Sequence, residues 1–298
     1  MIISASRRTD IPAFYSNWFM NRIRDGFVLV RNPLFKKIVT KVILDPEKVE
    51  AIIFWTKNPQ LLIEKLPELN DRGFFYYFLF TITPYGIQLE PNIPSNHHLI
   101  DTFHQLAELI GKERVIWRYD PIIISDVSDE NYQLDSFYNL ASSLKDSTNT
   151  CITSFMVTYK KCLKNMQGIT VENFDVSRKT ALLNSLKQIA GNFNINLLLC
   201  ADENNIEGIE KSCCIDIQLI NKLKGKEFKY KKDPSQRMHC HCAESIDIGA
   251  YNTCLHNCLY CYANYDSSKV RETIAGHKLL SPMLIGEPSG NEQIKNKT

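Results

Sequence analysis

The sequence predicts an α/β protein built as a parallel βα barrel, partial or closed, that ends in a cysteine-rich, cluster-binding segment. Across the first two hundred residues, short apolar, β-branched or aromatic runs end in polar residues and give way to amphipathic stretches, the rhythm of βα units. Polar residues gather just beyond several of those runs, which is where a βα barrel collects its active groups. Eight of the ten cysteines fall from Cys200 onward.

Met1 to Ala5 opens the pattern as a strand. Ala13 to Asp25 follows as a helix, entered after Asp10 and Pro12 and stopped by Gly26. Phe27 to Arg31 and Lys37 to Leu44 read as a β-hairpin inserted around Asn32-Pro33-Leu34. Asp45 before Pro46 is a good cap and predicts a second, short helix. Further strands are expected at Ala51 to Trp55, Phe75 to Thr83, Arg114 to Tyr119, Ile152 to Tyr159 and Ile195 to Cys200. Helical patterns lie at His97 to Ile110, Asn131 to Leu144 and Ser177 to Ala190. There is no internal repeat and no Gly/Ser-rich linker. The chain therefore reads as one domain over 1–298, with βα repeats to 200, the insertion near 27–44, a cysteine-rich segment at 200–265 and an extension at 266–298.

Composition narrows the function. With 44% hydrophobic, 10% aromatic and 23% charged residues, the chain can bury a sizeable core, which excludes a wholly disordered protein. The longest apolar and aromatic run, Phe74 to Phe80, is far short of the roughly 20 residues that a membrane-crossing helix needs. Met1 to Arg8 has its charges after a very short apolar stretch, the wrong order for a secretory signal, so a cytoplasmic protein is expected. A net charge of +2 gives no field that would pull the whole molecule onto nucleic acid or an anionic membrane. A local basic run from Lys222 to Arg237 is expected to be a solvated loop.

The polar residues after the strands are the candidate active groups. They are Ser6, Arg7, Arg8, Thr9 and Asp10; Thr56, Lys57 and Asn58; Thr83 and Tyr85; Arg118 and Asp120; and Asp202 and Glu203. Arg8 with Asp10, and Arg118 with Asp120, share an i, i+2 spacing that points both side chains to one face of an extended segment. In a chain expected in a reducing compartment, clustered cysteines favour metal ligation over disulfides. Cys254, Cys258 and Cys261 are spaced x3 then x2. Three thiolates on a four-iron cubane leave one iron free for a substrate or cofactor, whereas an electron-transfer cluster normally takes four.

Cys254, Cys258 and Cys261, with Tyr260 just before the last, resemble the C-x3-C-x-aromatic-C signature of radical S-adenosylmethionine (SAM) enzymes. That resemblance implies a TIM-like barrel, a 4Fe-4S cluster held by the three cysteines, SAM on the free iron, and an adenine contact from Tyr260. The chain also resembles a bacterial family known as domain of unknown function 1848. The matching segments are Ser4-Ala5-Ser6-Arg7-Arg8-Thr9-Asp10, Phe54-Trp55-Thr56-Lys57-Asn58-Pro59, Arg118-Tyr119-Asp120-Pro121 and Asp247-Ile248-Gly249-Ala250-Tyr251. In radical SAM proteins the signature loop follows the first strand of the barrel, yet here it lies near the C-terminus. A circular permutation, with Ser245 to Ala250 forming a strand beside Met1 to Ala5, would bring the loop to the same place. No Gly-Gly-Glu segment follows the second strand.

The expected activity is reductive cleavage of SAM to a 5'-deoxyadenosyl radical acting on an unknown, anionic substrate, with electrons from a low-potential donor such as flavodoxin or ferredoxin. Arg8, Asp10, Lys57, Arg118 and Asp120 are the candidate catalytic residues, and Arg7, Asn58 and Tyr260 the candidate cofactor contacts. Cys200, Cys213, Cys214, Cys240 and Cys242 offer ligands for a second cluster, with only one of the adjacent Cys213 and Cys214 expected to take part, and Cys213 is the expected ligand. Alternatives are a non-catalytic iron-sulfur electron carrier or a zinc-binding, nucleic-acid-interacting protein. Zinc could draw on these cysteines with His239, His241 and His256.

Overall fold

The computed structural model describes residues 1–172, 174–203 and 206–297. Strand β1 (Ile2–Ala5) leads into α1 (Ile11–Phe14) and α2 (Ser16–Asp25). The helix expected over Ala13 to Asp25 is thus two helices, which meet at Tyr15. Asp10 caps α1 by accepting from the Ala13 amide, and Gly26, at φ 74°, closes α2 in the left-handed conformation that glycine adopts without penalty. Next come β2 (Phe27–Arg31) and β3 (Ile38–Ile43), antiparallel as the hairpin reading requires. The helix expected at Pro46 does not form. Asp45 instead caps a single turn, in which its side chain accepts from the Glu47 amide and its carbonyl from the amides of Lys48 and Val49.

The chain continues through β4 (Ala51–Thr56), α3 (Gln60–Ile63), α4 (Leu66–Asp71), β5 (Tyr76–Thr81), α5 (Gly86–Leu89) and α6 (Asn96–Ile110). Then follow β6 (Val115–Ile122), α7 (Glu130–Leu144), β7 (Thr150–Phe155), α8 (Lys160–Asn165), α9 (Val176–Asn192) and β8 (Asn196–Cys200). The last elements are β9 (Glu210–Ser212), α10 (Ile217–Lys224), β10 (Ile246–Asp247), α11 (Ser267–Ile274) and β11 (Gln293–Lys297). The strand expected over Ile152 to Tyr159 is shifted towards the N-terminus, because the chain leaves the sheet after Phe155 and Tyr159 lies at the start of α8. Side-chain caps recur where the sequence puts Ser or Asp before a helix: Ser95, Asp129, Asp175, Asp216 and Asp266 each accept from an amide of the first turn.

The strands make an eight-stranded sheet in the order β10, β1, β4, β5, β6, β7, β8, β9, and a three-stranded sheet in the order β11, β3, β2. Within the larger sheet β10 and β4 flank β1 in parallel, and β6 to β9 pair in parallel in chain order. Among the described residues the larger sheet runs from β10 to β9 and no strand pairing joins those two edges, so the α/β reading holds and the closed form of the expected barrel is not found. Parallel strands with intervening helices are buried on both faces, which explains why β4 and β5 read as near-continuous apolar runs.

The chain has two compact units, Met1–Phe78 with Ser245–Thr298, and Leu79–Glu244. In the first, Phe54 is fully buried, with its ring 5.4 Å from Phe19, 5.9 Å from Tyr76 and 4.8 Å from Phe78. The C-terminal extension is stitched into this unit: Trp18 Nε1 donates to the Ser281 carbonyl, the Leu29 amide donates to that of Pro282, and β11 runs parallel to β3. In the second unit, Trp117 stacks on Phe137 at 4.9 Å and Tyr119 meets the same ring edge-on at 5.0 Å. Among the described residues, no helix is long and apolar enough to cross a membrane.

Phe54→Ala is expected to lower the unfolding free energy, read by urea denaturation, by about 3–5 kcal/mol. Leu61→Ala on the exposed side of α3 is expected to change it by less than about 0.5 kcal/mol.

Candidate functional site

In the first unit the polar residues that follow β1 and β4 and the cysteine loop that follows β10 all leave the C-terminal ends of three neighbouring parallel strands. In open α/β sheets this is where ligands bind. β10 has only two residues, but its register is set firmly. Ile246 pairs with Ile3 and Asp247 with Ser4, and the Ile248 amide continues the ladder to the Ser4 carbonyl. The strand expected at Ser245 to Ala250 therefore exists beside β1, in shortened form.

Asp247 makes that shortened strand sufficient. One carboxylate oxygen accepts from Ser6 Oγ at 2.6 Å and the Gly249 amide at 3.0 Å, and the other from Ser4 Oγ at 3.1 Å and the Arg7 amide at 2.8 Å. Arg8 adds an ion pair at 4.0 Å. A nearly buried carboxylate with all its acceptor sites taken ties β10 to the turn after β1. Gly249 is required by close approach, since a Cβ there would lie 2.1 Å from Ser6 Oγ.

Beyond β10 the loop turns tightly. Asn252 and Asn257 adopt left-handed φ of 58°, which asparagine tolerates better than most residues. Four further bonds hold the loop to the segment after β1. The phenol of Tyr15 donates to the Thr253 carbonyl at 2.6 Å, and Tyr262 donates to the Arg7 carbonyl at 2.7 Å. His256 Nε2 meets Asp10 Oδ2 at 2.7 Å, and Arg8 Nη1 reaches the Gly249 carbonyl at 3.5 Å. Inside the loop, Asn264 Nδ2 donates to the Cys254 carbonyl and the Cys261 amide to the Cys258 carbonyl.

The three cysteines are thereby brought into one neighbourhood. Burial pushes the Cys254 thiol well above the ordinary thiol range, and negative charge on Asp10, Cys261 and Cys258 pushes it the same way. Burial also raises the Tyr15 phenol, with Cys254 adding to the effect. Each thiolate thus disfavours the next, so a cation set among them would relieve the repulsion. The side chains around the loop also hold polar atoms in reserve: His256 Nδ1, Thr9 Oγ1 and Asn264 Oδ1 are buried without a hydrogen-bond partner among the described residues.

Of the residues the sequence singles out, Arg7, Arg8, Asp10, Lys57 and Tyr260 join this site. Arg7 lies over Trp55 at 5.2 Å, Arg8 over Tyr251 at 5.2 Å, and Lys57 over Tyr260 at 5.9 Å. Asp10 is deeply buried and its oxygens are taken by the Ala13 amide, the Lys57 amide and His256, which makes it an organiser of the site. The side chain of Asn58 caps the start of α3 through the Gln60 amide. Thr83 and Tyr85 have structural partners in the second unit, Glu90 for the one and the Pro121 carbonyl and Ile123 amide for the other. Sequence reasoning passed over Asp247, Tyr15 and the Asp10–His256 pair; only the Asp247-Ile248-Gly249 segment carried a signal, as part of a family motif.

Arg118 and Asp120 lie on β6 in the second unit and pair with each other, while Ser154 donates to Asp120. Charge on both is felt by Cys200 at the end of β8. Around Cys200, Sγ of Cys214 lies at 3.5 Å, Cys214 is also hydrogen-bonded to Cys242, and Cys242 to Cys240. The hydrogen bond between these two thiols lowers the Cys200 thiol, and bonds with Cys200 and Cys242 together with burial raise that of Cys214. Cys213 is half-buried and, chiefly by burial, pushed up to about 12. Among the described residues, no group of three or more His, Cys, Asp or Glu side chains is placed to hold a metal ion.

Asp247→Asn replaces an acceptor with a donor that faces an amide or hydroxyl already donating. The expected cost is about 2–3 kcal/mol in urea denaturation, together with loss of protection of the Gly249 and Arg7 amides in hydrogen exchange. Gly249→Ala forces Ser6 aside and is expected to cost about 1–3 kcal/mol by the same measurement.

Residues 2–263 match the model of a family described as Domain of unknown function (DUF1848). No curated protein and no solved structure matches the chain. Because the family match takes in both units and the cysteine loop, and so nearly the whole sequence, the chain belongs to the DUF1848 family.

Proposed function

We propose that this protein is a radical SAM-like iron-sulfur enzyme whose active centre is the loop after β10. The observation that carries the reading is the position of Cys254, Cys258 and Cys261. They sit on one turn-rich loop at the end of a strand parallel to β1, within reach of one another's charge. A 4Fe-4S cluster fits these residues by donor chemistry: three thiols, mutual repulsion that a cationic group relieves, and buried polar atoms on His256, Thr9 and Asn264 with bonding capacity to spare. When bound, such a cluster supplies one electron to SAM, giving methionine and a 5'-deoxyadenosyl radical that abstracts hydrogen from carbon.

The chain's own residues have definable tasks. Cys254, Cys258 and Cys261 would hold the cluster and leave one position for the cofactor. Tyr260 offers a ring for adenine, and Lys57, whose ammonium lies over that ring, supplies positive charge for a carboxylate. Arg7 and Arg8 hold the loop through Ser245, Asp247 and Gly249 and add to the local positive field that an anionic substrate would meet. Asp10 fixes the orientation of His256, and the Phe14 ring, 4.6 Å from the imidazole, limits its movement. Tyr15 anchors the backbone one residue before Cys254. A low-potential donor such as flavodoxin or ferredoxin would complete the system.

The test is anaerobic reconstitution of the full chain with iron and sulfide, followed by reduction and addition of SAM. Formation of 5'-deoxyadenosine and methionine is expected, with loss of at least 100-fold in Cys254→Ala and little change in Cys151→Ala. A chain that binds zinc without iron, or that loads iron and leaves SAM intact, would overturn the proposal.

A further inference from the structure

The second unit holds a pair of thiols that the active-centre reading does not use. Cys200 is the last residue of β8, and it pairs across the sheet with Ser212, the last residue of β9. Cys214 stands two residues beyond that strand. Both cysteines are buried, at 7% and 2% exposure, and their sulfurs share a hydrogen bond at 3.5 Å. Cys213, the neighbour of Cys214, is only half-buried.

The backbone fixes both sulfurs and still leaves one of them room to move. Ala201 takes a left-handed φ of 49°, which alanine adopts rarely, so the chain leaves β8 directly after Cys200. On the other side the Ile215 amide donates to Cys242 Sγ at 3.4 Å, and the Ile215 carbonyl accepts from the Ala243 amide at 3.0 Å. These two bonds set the position of Cys214. β9 lies at an edge of the larger sheet, ladder-bonded to β8 alone among the described residues. Closing the 3.5 Å contact to the roughly 2 Å of a disulfide therefore asks for a shift at the end of an edge strand, and not within the sheet.

A lone buried cysteine behaves as a small hydrophobe. Two in contact have a further chemistry, because either sulfur, once oxidised, has a nucleophile already beside it. The mutual hydrogen bond of two thiols is weak, so stability gives little reason to place them together. The bond with Cys214 lowers the Cys200 thiol more than burial raises it, and positive charge on Arg118 adds to the lowering. Cys200 is thus the sulfur that reacts first. The burial of both residues shuts out a bulky oxidant such as a peptide disulfide and favours a small, neutral one.

We propose that Cys200 and Cys214 form a reversible redox modification site, at which hydrogen peroxide closes a disulfide between β8 and the segment after β9. Cys200 Sγ attacks one peroxide oxygen, the O–O bond breaks, and a Cys200 sulfenic acid and one water result. Cys214 Sγ then attacks Cys200 Sγ, the S–O bond breaks, and the hydroxyl leaves as a second water with the Cys214 proton. Two thiols lose two protons and two electrons, and the peroxide is reduced to two waters. A dithiol reverses the change by exchange and becomes a disulfide itself. The site shares no residue with the loop after β10 and does not depend on the active-centre reading.

The experiment exposes the reduced full chain to a few equivalents of hydrogen peroxide, alkylates the remaining thiols in denaturant and maps the digested peptides by mass spectrometry. A linked pair of peptides joined through Cys200 and Cys214 is expected, two hydrogens lighter than its reduced parts, and dithiothreitol should restore both thiols. Cys213→Ala and Cys242→Ala should keep the link. Cys214→Ser should abolish it and leave on Cys200 a sulfenic acid that dimedone traps. Linkage of Cys214 to Cys213 or Cys242 would overturn the proposal, as would oxidation of Cys200 to a sulfinic acid while Cys214 stays a thiol. So would two intact thiols at every peroxide concentration that leaves the circular dichroism unchanged. If a variant does not match the circular dichroism of the parent, the map of the unaltered chain decides alone.

Discussion

The arrangement of the first unit depends on one carboxylate. Asp247 gathers donors from Ser4, Ser6, Arg7 and Gly249 into a space too small for any side chain at position 249. Two residues of β-ladder would be a weak attachment for a strand so distant in sequence. Charge-assisted hydrogen bonds are individually about twice as strong as neutral ones, and four of them on one group convert a marginal pairing into a fixed register. A one-residue slip would turn Asp247 away from β1 and carry the cysteine loop with it.

From that register the remaining tethers act in concert. Tyr15, Asp10 and the Arg7 carbonyl all lie within ten residues of the end of β1, and each holds a different point of the loop, at Thr253, His256 and Tyr262. Asp10 serves three partners at once: it caps α1, receives the Lys57 amide that follows β4, and orients His256 between two of the cysteines. The adjoining strand ends are therefore coupled to the loop through backbone and buried side chains, which are already ordered and would lose little entropy if a ligand bound there.

Much of the fold was legible because strands buried on both faces announce themselves as apolar runs, as in Tyr76–Thr81, and because helices announce their starts with capping residues such as Asp129 and Asp175. The elements misread lack those signals. Asp45-Pro46 has a helix start but no amphipathic stretch behind it, so it makes only a turn. β11 is exposed throughout and polar except for Ile294, and its pairing with β3 is a tertiary choice that no local pattern encodes. In the site, the Cys254, Cys258, Cys261 spacing was readable because it lies on one loop. Asp10 with His256 was not, since 246 residues separate them and only the fold makes them neighbours. The same limit applies to Cys214: adjacent cysteines look alike in sequence, and only packing decides which of them meets Cys200.

In the proposed reading, the loop after β10 holds a cluster with one metal position open to SAM. The most direct measurement is the EPR spectrum of the reduced, reconstituted chain with and without SAM. A component whose g-values shift when SAM is added is the predicted result. A spectrum from an intact, fully loaded and reduced cluster that is unchanged by saturating SAM would contradict the claim.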